Sequence, residues 1–249
     1  MRAIIIGAGR GSRLMPLTED MPKCLAPIGD RRILDHMIDA LKSGGMDEIV
    51  FVGGYEIQKV KDAHPELNFI LNSDWEHNNI LASLFHADQE MDGGFICSYA
   101  DILYRPSAIK ALMEGSHDIT LVIDTDWRTR YAKRSKHPED DAEKVVVDGE
   151  EIIGIGRGIK SEAAHGEYIG VARFTAAGSQ ILRENYRRCL IQYDGKPFHS
   201  SASFKKAYLI DLFKELLLKG VSIHKVDIHG NYFEVDTTED YTNAVKEWC

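Results

Sequence analysis

Apolar and polar positions alternate along this chain in two periods. Residues 2–6 (Arg-Ala-Ile-Ile-Ile) form an apolar run that stops at Gly7, the pattern of a strand buried on both faces. Residues 33–44 then carry apolar side chains at 33, 34, 37, 38 and 41, one stripe of a helix that ends against Gly44 and Gly45. The alternation continues with strands at 48–52, 68–71, 94–100 and 118–124, separated by helices at 56–63, 79–91 and 106–114. Strand–helix alternation predicts a parallel sheet covered on both faces. The second half is less regular. Residues 144–156 read as two strands around Asp148-Gly149, a hairpin signal, followed by a strand at 168–174 and a helix at 176–189. Residues 204–219 are the most amphipathic stretch, stopped by Gly220, and strands at 222–227 and 232–235 lead to a last helix at 238–247. No repeat, low-complexity segment or Pro/Ser-rich linker interrupts the pattern. It predicts one α/β domain over 1–249, with a mostly parallel central sheet and a small antiparallel elaboration.

Composition narrows the partners. Among 249 residues, 30 are Lys or Arg and 39 are Asp or Glu, a formal charge of −9 that argues against nonspecific nucleic-acid binding. No apolar run approaches the ~18 residues of a membrane span. The apolar start at Met1 is too short for a signal peptide and runs into Gly-rich sequence. Cysteines at 24, 97, 189 and 249 share no metal-ligand spacing. A cytoplasmic protein with no membrane and no nucleic-acid partner is expected. The apolar faces of 176–189 and 204–219 suit either the core or a homodimer interface.

The segment GAGRGSRLMPLTEDMPKCL (7–25) is the most informative. A Gly-rich turn after a buried first strand cradles phosphates with backbone N–H groups. The dinucleotide fingerprint fails, because Ser12 or Leu14 stands where its third glycine belongs, and no Gly-Lys-Ser/Thr of a P-loop follows. What remains is Gly9-x-Gly11-x-Arg13, Pro16-Leu17-Thr18 and Pro22-Lys23. Residues 1–32 hold basic side chains at 2, 10, 13, 23, 31 and 32 against acidic ones at 19, 20 and 30, a local anion site in an acidic protein.

These residues resemble the signature of the sugar-nucleotide pyrophosphorylase superfamily of nucleotidyltransferases, G-x-G-x-R-x-x-P-L-T-x-x-x-P-K. The resemblance implies a three-layer αβα, Rossmann-like nucleotide-diphosphosugar transferase fold. It puts Ala8, Gly9, Arg10, Gly11 and Ser12 around the nucleotide, with Arg13 on the triphosphate and Lys23 beside the phosphates where the bond is exchanged. Nucleotidyl transfer uses a divalent ion to offset phosphate charge, and Mg²⁺ needs only one or two carboxylates. Asp101, after the strand at 94–100, and Asp236, in FEVDTTEDY (233–241), are the pair that the resemblance implies, with Glu234 orienting the second. Taken singly, each aspartate also reads as a cap.

The region NSDWEHNNILASL (72–84) departs from the sugar-nucleotide enzymes and looks like the phosphocholine cytidylyltransferase branch. This places Asn79 and Ser83 near the base or ribose, although Asn78 or Asn79 also reads as a helix N-cap. Residues 124–144 cluster Arg128, Arg130, Lys133, Arg134 and Lys136 beside Trp127 and Tyr131. That run is either a solvated face or an acceptor site, with cations for a phosphate and aromatics for an amine head group. Lys144 is a further phosphate candidate. The segment GEYIGVARF (166–174) matches the family's acceptor-pocket strand, with Glu167 for an amine or hydroxyl and Gly170 for close approach of a ligand. The function these residues imply is Mg²⁺-dependent transfer of CMP from CTP to phosphocholine, 2-aminoethylphosphonate or a similar small acceptor. A hexose-1-phosphate nucleotidyltransferase using UTP, dTTP or GTP is the alternative. A nucleotide-binding regulatory subunit would be expected to lose Lys23 or a metal aspartate, and all three are present.

Overall fold

A computed structural model describes residues 1–136 and 138–248. In chain order the first half contains β1 (Arg2–Gly7), a small pair β2 (Pro27–Ile28) and β3 (Arg31–Arg32), α1 (Ile33–Ser43), β4 (Glu48–Gly53), α2 (Ile57–Ala63), β5 (Asn68–Leu71), α3 (Ile80–Phe85), β6 (Phe95–Tyr99), β7 (Ile102–Tyr104), α4 (Pro106–Glu114) and β8 (Ile119–Asp124). The second half adds α5 (Trp127–Tyr131), β9 (Lys144–Asp148), β10 (Glu151–Ile155), β11 (Gly166–Phe174), α6 (Ala176–Gln192), α7 (Leu209–Leu218), β12 (His224–Ile228), β13 (Tyr232–Glu234) and α8 (Thr238–Glu247).

Nine strands form one sheet in the order β5-β4-β1-β6-β11-β8-β12-β10-β9. Successive residues of the central strands feed opposite cores: Ala3, Ile5, Ile49 and Phe51 pack under α1, α4 and α8, whereas Ile4, Ile6, Val50 and Val52 pack under α3, α6 and α7. That period of two is why both faces are covered and the architecture is three layers deep. From the faces of 176–189 and 204–219, Leu182, Leu209, Ile210, Leu212, Phe213 and Leu216 are buried in the second core, while Leu218 stays exposed.

Three features depart from the periodicity. The longest strand, β11, runs antiparallel between β6 and β8, because the chain reaches it from the β9–β10 hairpin rather than by a helical crossover. The expected helix over 79–91 splits into α3 and a 3-10 turn at Asp88–Met91. β7 was not legible as a strand; it pairs antiparallel with β13, matching Glu234 to Ile102. Among the described residues no helix is long and apolar enough to cross a membrane. Cys24, Cys97 and Cys189 are buried and unbridged, and Cys249 lies outside the described residues.

Candidate active site

The carboxyl ends of β1 and β6, with the segment after β13, open onto a cleft of about 490 Å³. Its floor is the Gly-rich loop. Gly11 adopts φ +70°, and a side chain there would start 2.8 Å from the Lys23 stem, so only glycine lets Lys23 pass beneath the loop. The buried Thr18 hydroxyl donates to the Gly11 carbonyl at 2.9 Å and pins the turn.

The β7–β13 pairing brings the two aspartates together. Asp101 immediately precedes β7, its carbonyl accepts the Val235 N–H at 2.9 Å, and Asp236 follows. Asp236 is buried just ahead of α8, whose N-cap Thr237 accepts the Asp240 N–H while the Asp240 carboxylate accepts from Thr237 N in return. The capping role therefore falls to Thr237 and leaves Asp236 to face the cleft. Lys23 Nζ donates to Asp101 at 2.8 Å and pairs also with Asp236, which Arg13 reaches as well. Burial alone would lower the Lys23 pKa, but the two aspartates outweigh it and hold the ammonium above the usual lysine value. Arg13 contacts Asp141 at 3.5 Å.

On the β5 side the cleft is walled by Trp75, Asn78, Asn79, Ile80 and Ser83. Asn79 is the N-cap of α3, accepting from Ile80 N at 2.9 Å and donating to the Lys206 carbonyl at 3.0 Å. The cap reading of this residue holds, and the residue also lines the cleft. Ala8, Gly9, Gly11, Arg13, Lys23, Asn79, Ser83, Asp101, Glu167 and Asp236 all line the cleft. Arg10 lies over the Tyr55 ring at 5.3 Å, the exposed Ser12 opens a 3-10 turn, and both stand outside the lining.

The acceptor residues read from 124–144 need correction. Trp127 and Tyr131 are buried in a small apolar cluster with Ala142 and Ala164, so they offer no wall to a ligand. Arg128 caps the Ser161 and Ala164 carbonyls. Arg130 pairs with Asp124 and Glu167, Lys133 with Glu247, and Arg134 with Asp240. Lys144 is wholly buried, donates to the Glu139 carbonyl at 3.1 Å, and has its pKa lowered by burial. Glu167 does reach the cleft, held by Arg130 and by the Tyr131 hydroxyl at 2.8 Å. Gly170, at φ +84°, is packed instead by Tyr99, since a side chain at 170 would begin 2.4 Å from that ring.

Tyr168, in the GEYIGVARF segment, lines this half of the cleft, and sequence reasoning missed the other groups that face it: Tyr99, Glu143, Arg157 and Tyr208. Glu143 accepts from Tyr99 Oη and Arg157 Nη2, each at 3.3 Å, and Arg157 lies 4.1 Å from the Tyr208 ring centre. Burial pushes the Glu143 carboxyl up to about 7, against the pull of Arg157. A carboxyl whose pKa is higher folded than unfolded makes folding take up a proton. Its stabilising share is complete below the ordinary value of 4.5 and is lost as pH rises through about 7. Glu143→Gln is therefore expected to flatten the decline in thermal stability across that interval, measured as melting temperature against pH. A slope equal to the parent's would assign the titration to another group.

A Gly-rich loop over a lysine and two facing carboxylates, at the strand ends of an αβα sheet, defines a nucleotidyltransferase. Residues 3–174 match the MobA-like NTP transferase domain, and the chain belongs to that family. It is similar to the CTP:phosphoglutamine cytidylyltransferase of Campylobacter jejuni, with 31% identity spanning 96% of this chain and 97% of that protein. It is also similar to the choline-phosphate cytidylyltransferase of Streptococcus pneumoniae, at 27% identity over 97% and 95% of the two chains. Among solved structures, the inositol-1-phosphate CTP transferase from T. maritima superposes with a TM-score of 0.75 at 21% identity, covering 99% of this chain and 95% of that one. This last likeness speaks to the fold.

Proposed function

We propose that the protein is a cytidylyltransferase that moves CMP from CTP onto the phosphate or phosphonate of a small nitrogen-bearing acceptor and releases pyrophosphate. The observation that carries the proposal is the convergence of Lys23, Arg13, Asp101 and Asp236 at the mouth of the Gly-rich loop. The acceptors named for the two relatives, phosphoglutamine and choline phosphate, share a phosphoryl group and a nitrogen-bearing head, and this agrees with a cleft half made of tyrosines and carboxylates.

The acceptor oxygen is already anionic, so attack on the α-phosphorus needs no general base. The new P–O bond forms as the bond to pyrophosphate breaks, in line. Arg13 and Lys23 exchange their aspartate partners for phosphate oxygens and stabilise the charge that develops there. Arg157 replaces the basic run at 128–136 as the cation for the acceptor's phosphoryl group, because it lines the cleft and those residues do not. Glu143 and Glu167 offer carboxylates to an amine.

Asp101 and Asp236 suit Mg²⁺: both are hard oxygen donors, and they already draw two cations to one spot. Bound there, the ion would supply charge compensation for the α-phosphate and the departing pyrophosphate.

Pyrophosphate release with Mg²⁺ tests the reading, crossing CTP, UTP, GTP, ATP and dTTP with phosphocholine, 2-aminoethylphosphonate, phosphoglutamine, phosphoethanolamine and glucose 1-phosphate. Turnover of CTP with a nitrogen-bearing acceptor is expected. Turnover confined to UTP or dTTP with glucose 1-phosphate would replace it with the sugar-nucleotide reaction.

A further inference from the structure

The basic run after β8 supplies no lining to the catalytic cleft, yet one of its arginines is almost sealed from water: only 3% of the Arg134 side chain is exposed. The run is anchored by α5, whose Trp127 and Tyr131 pack in the small core with Ala142 and Ala164. Its winding continues to residue 134, whose N–H donates to the Tyr131 carbonyl at 2.9 Å. Just beyond, the N–H groups of Ser135 and Lys136 donate to the Glu239 carboxylate at 2.8 and 2.9 Å. The segment is thus fastened to the first turn of α8, and Arg134 projects from a packed element.

Asp236 sits in the short link between β13 and α8, part of neither element. A carboxylate on such a link is aimed only as well as the backbone on its two sides is held. Arg134 holds both. Its Nη2 donates to the Glu234 carbonyl at 2.8 Å, and its Nε pairs with Asp240 Oδ1 at 2.7 Å. The other oxygen of Asp240 accepts the N–H of Asp236 at 3.3 Å and that of Thr237 at 2.8 Å. One planar guanidinium, its nitrogens in a rigid fork, therefore brackets Asp236 from before and after. Asp240 is 2% exposed, so its charge must be met inside the protein. Arg13 and Lys23 grip the Asp236 side chain itself, and in the mechanism above they leave it for phosphate oxygens. The bracket is outside that exchange.

We infer that Arg134, with Asp240, is the positioning residue for the Asp236 carboxylate, fixing the second oxygen ligand of the divalent ion from outside the cleft lining. The inference rests on Asp236 as a metal ligand in the nucleotidyl-transfer reading. Groups that orient a metal ligand from behind are typically worth roughly 10- to 100-fold in metal affinity or activity.

Mn²⁺ binding to the protein alone, read from the paramagnetic resonance signal of the free ion, tests this without turnover. Arg134→Gln is expected to weaken binding by roughly 10- to 100-fold. The Mg²⁺ needed for half-maximal pyrophosphate release should rise by a similar factor, while KM for CTP at saturating Mg²⁺ stays near the parent's. Arg134→Lys keeps the charge but cannot span the Glu234 carbonyl and Asp240 together, so it is expected to recover part of the affinity. Asp240→Asn should weaken binding as Arg134→Gln does, and the double variant little more than either alone, since both act through one bracket. A merely structural role would lower the melting temperature and kcat while leaving Mn²⁺ affinity and Mg²⁺ half-saturation unmoved, and that result overturns the inference. Additive losses in the double variant would do the same. Should Arg134→Gln fail to fold, Arg134→Lys and Asp240→Asn carry the comparison, and parent-like Mn²⁺ affinity in both overturns it. Asp236→Asn separates the two readings. Lost Mn²⁺ binding there, with parent-like binding in Arg134→Gln, keeps the metal pair and sinks the role of Arg134. Unchanged binding in Asp236→Asn removes the metal pair and this inference with it.

Discussion

Lys23→Ala is expected to lower turnover by roughly 10²- to 10³-fold, the usual cost of removing one pre-aimed donor from a developing charge. The side chain runs beneath Gly11 and ends between Asp101 and Asp236, so no neighbouring cation can take its place by a change of rotamer. Arg13 reaches Asp236 but is not among the partners of Asp101. Nucleotide binding should persist, because the Gly-rich backbone and the Asn78–Ser83 wall remain. Two consequences then separate. The first, lost turnover at saturating CTP, reports on the chemistry; the second is a lower melting temperature, since two carboxylates are left facing each other with only Arg13 between them. Adding Mg²⁺ should restore part of the melting temperature and little of the turnover. A Lys23→Ala protein that turns over like its parent would remove Lys23 from the reaction.

The second large effect is expected from the carboxylates. Asp101→Asn and Asp236→Asn should each reduce Mg²⁺-dependent pyrophosphate release by about 10³-fold or more, because charge compensation by a bound ion contributes several kcal/mol to the transition state. Their stabilities should differ. Asp236 is the more buried and holds both Arg13 and Lys23, so its neutralisation leaves two cations short of a partner, whereas Asp101 holds only Lys23. Mg²⁺ titrations of activity alongside thermal melts check both points. A variant with the parent's Mg²⁺ dependence would exclude that aspartate from the metal pair.

The geometry of the Gly-rich loop was legible because its contacts are local. Gly9, Gly11, Arg13, Thr18 and Lys23 sit within one loop, and the loop's closure over Lys23 depends on contacts inside that segment. The acceptor half was misread for the opposite reason. Arg130, Lys133 and Arg134 look unpaired beside Trp127 and Tyr131, but their partners Glu167, Glu247 and Asp240 come from segments far along the chain. An aromatic next to a cation reads equally as a binding wall or as a small core, and only burial separates the two. Glu143 and Arg157 flank the β9–β10 hairpin without any local pattern; the fold alone turns them toward the cleft. The strand pattern succeeded where both faces were apolar and failed at β7, whose three residues are too few to show a period.

The clasp between β7 and β13 also sets when the protein becomes competent as it is made. Synthesis proceeds from the amino end, and the loop, Lys23 and Asp101 have emerged long before the segment carrying Asp236. Until that segment docks beside β7, Lys23 and Asp101 face each other without Asp236, and the second carboxylate for an ion is missing. On the proposed assignment of Asp236, catalysis begins only after β13 has been laid down.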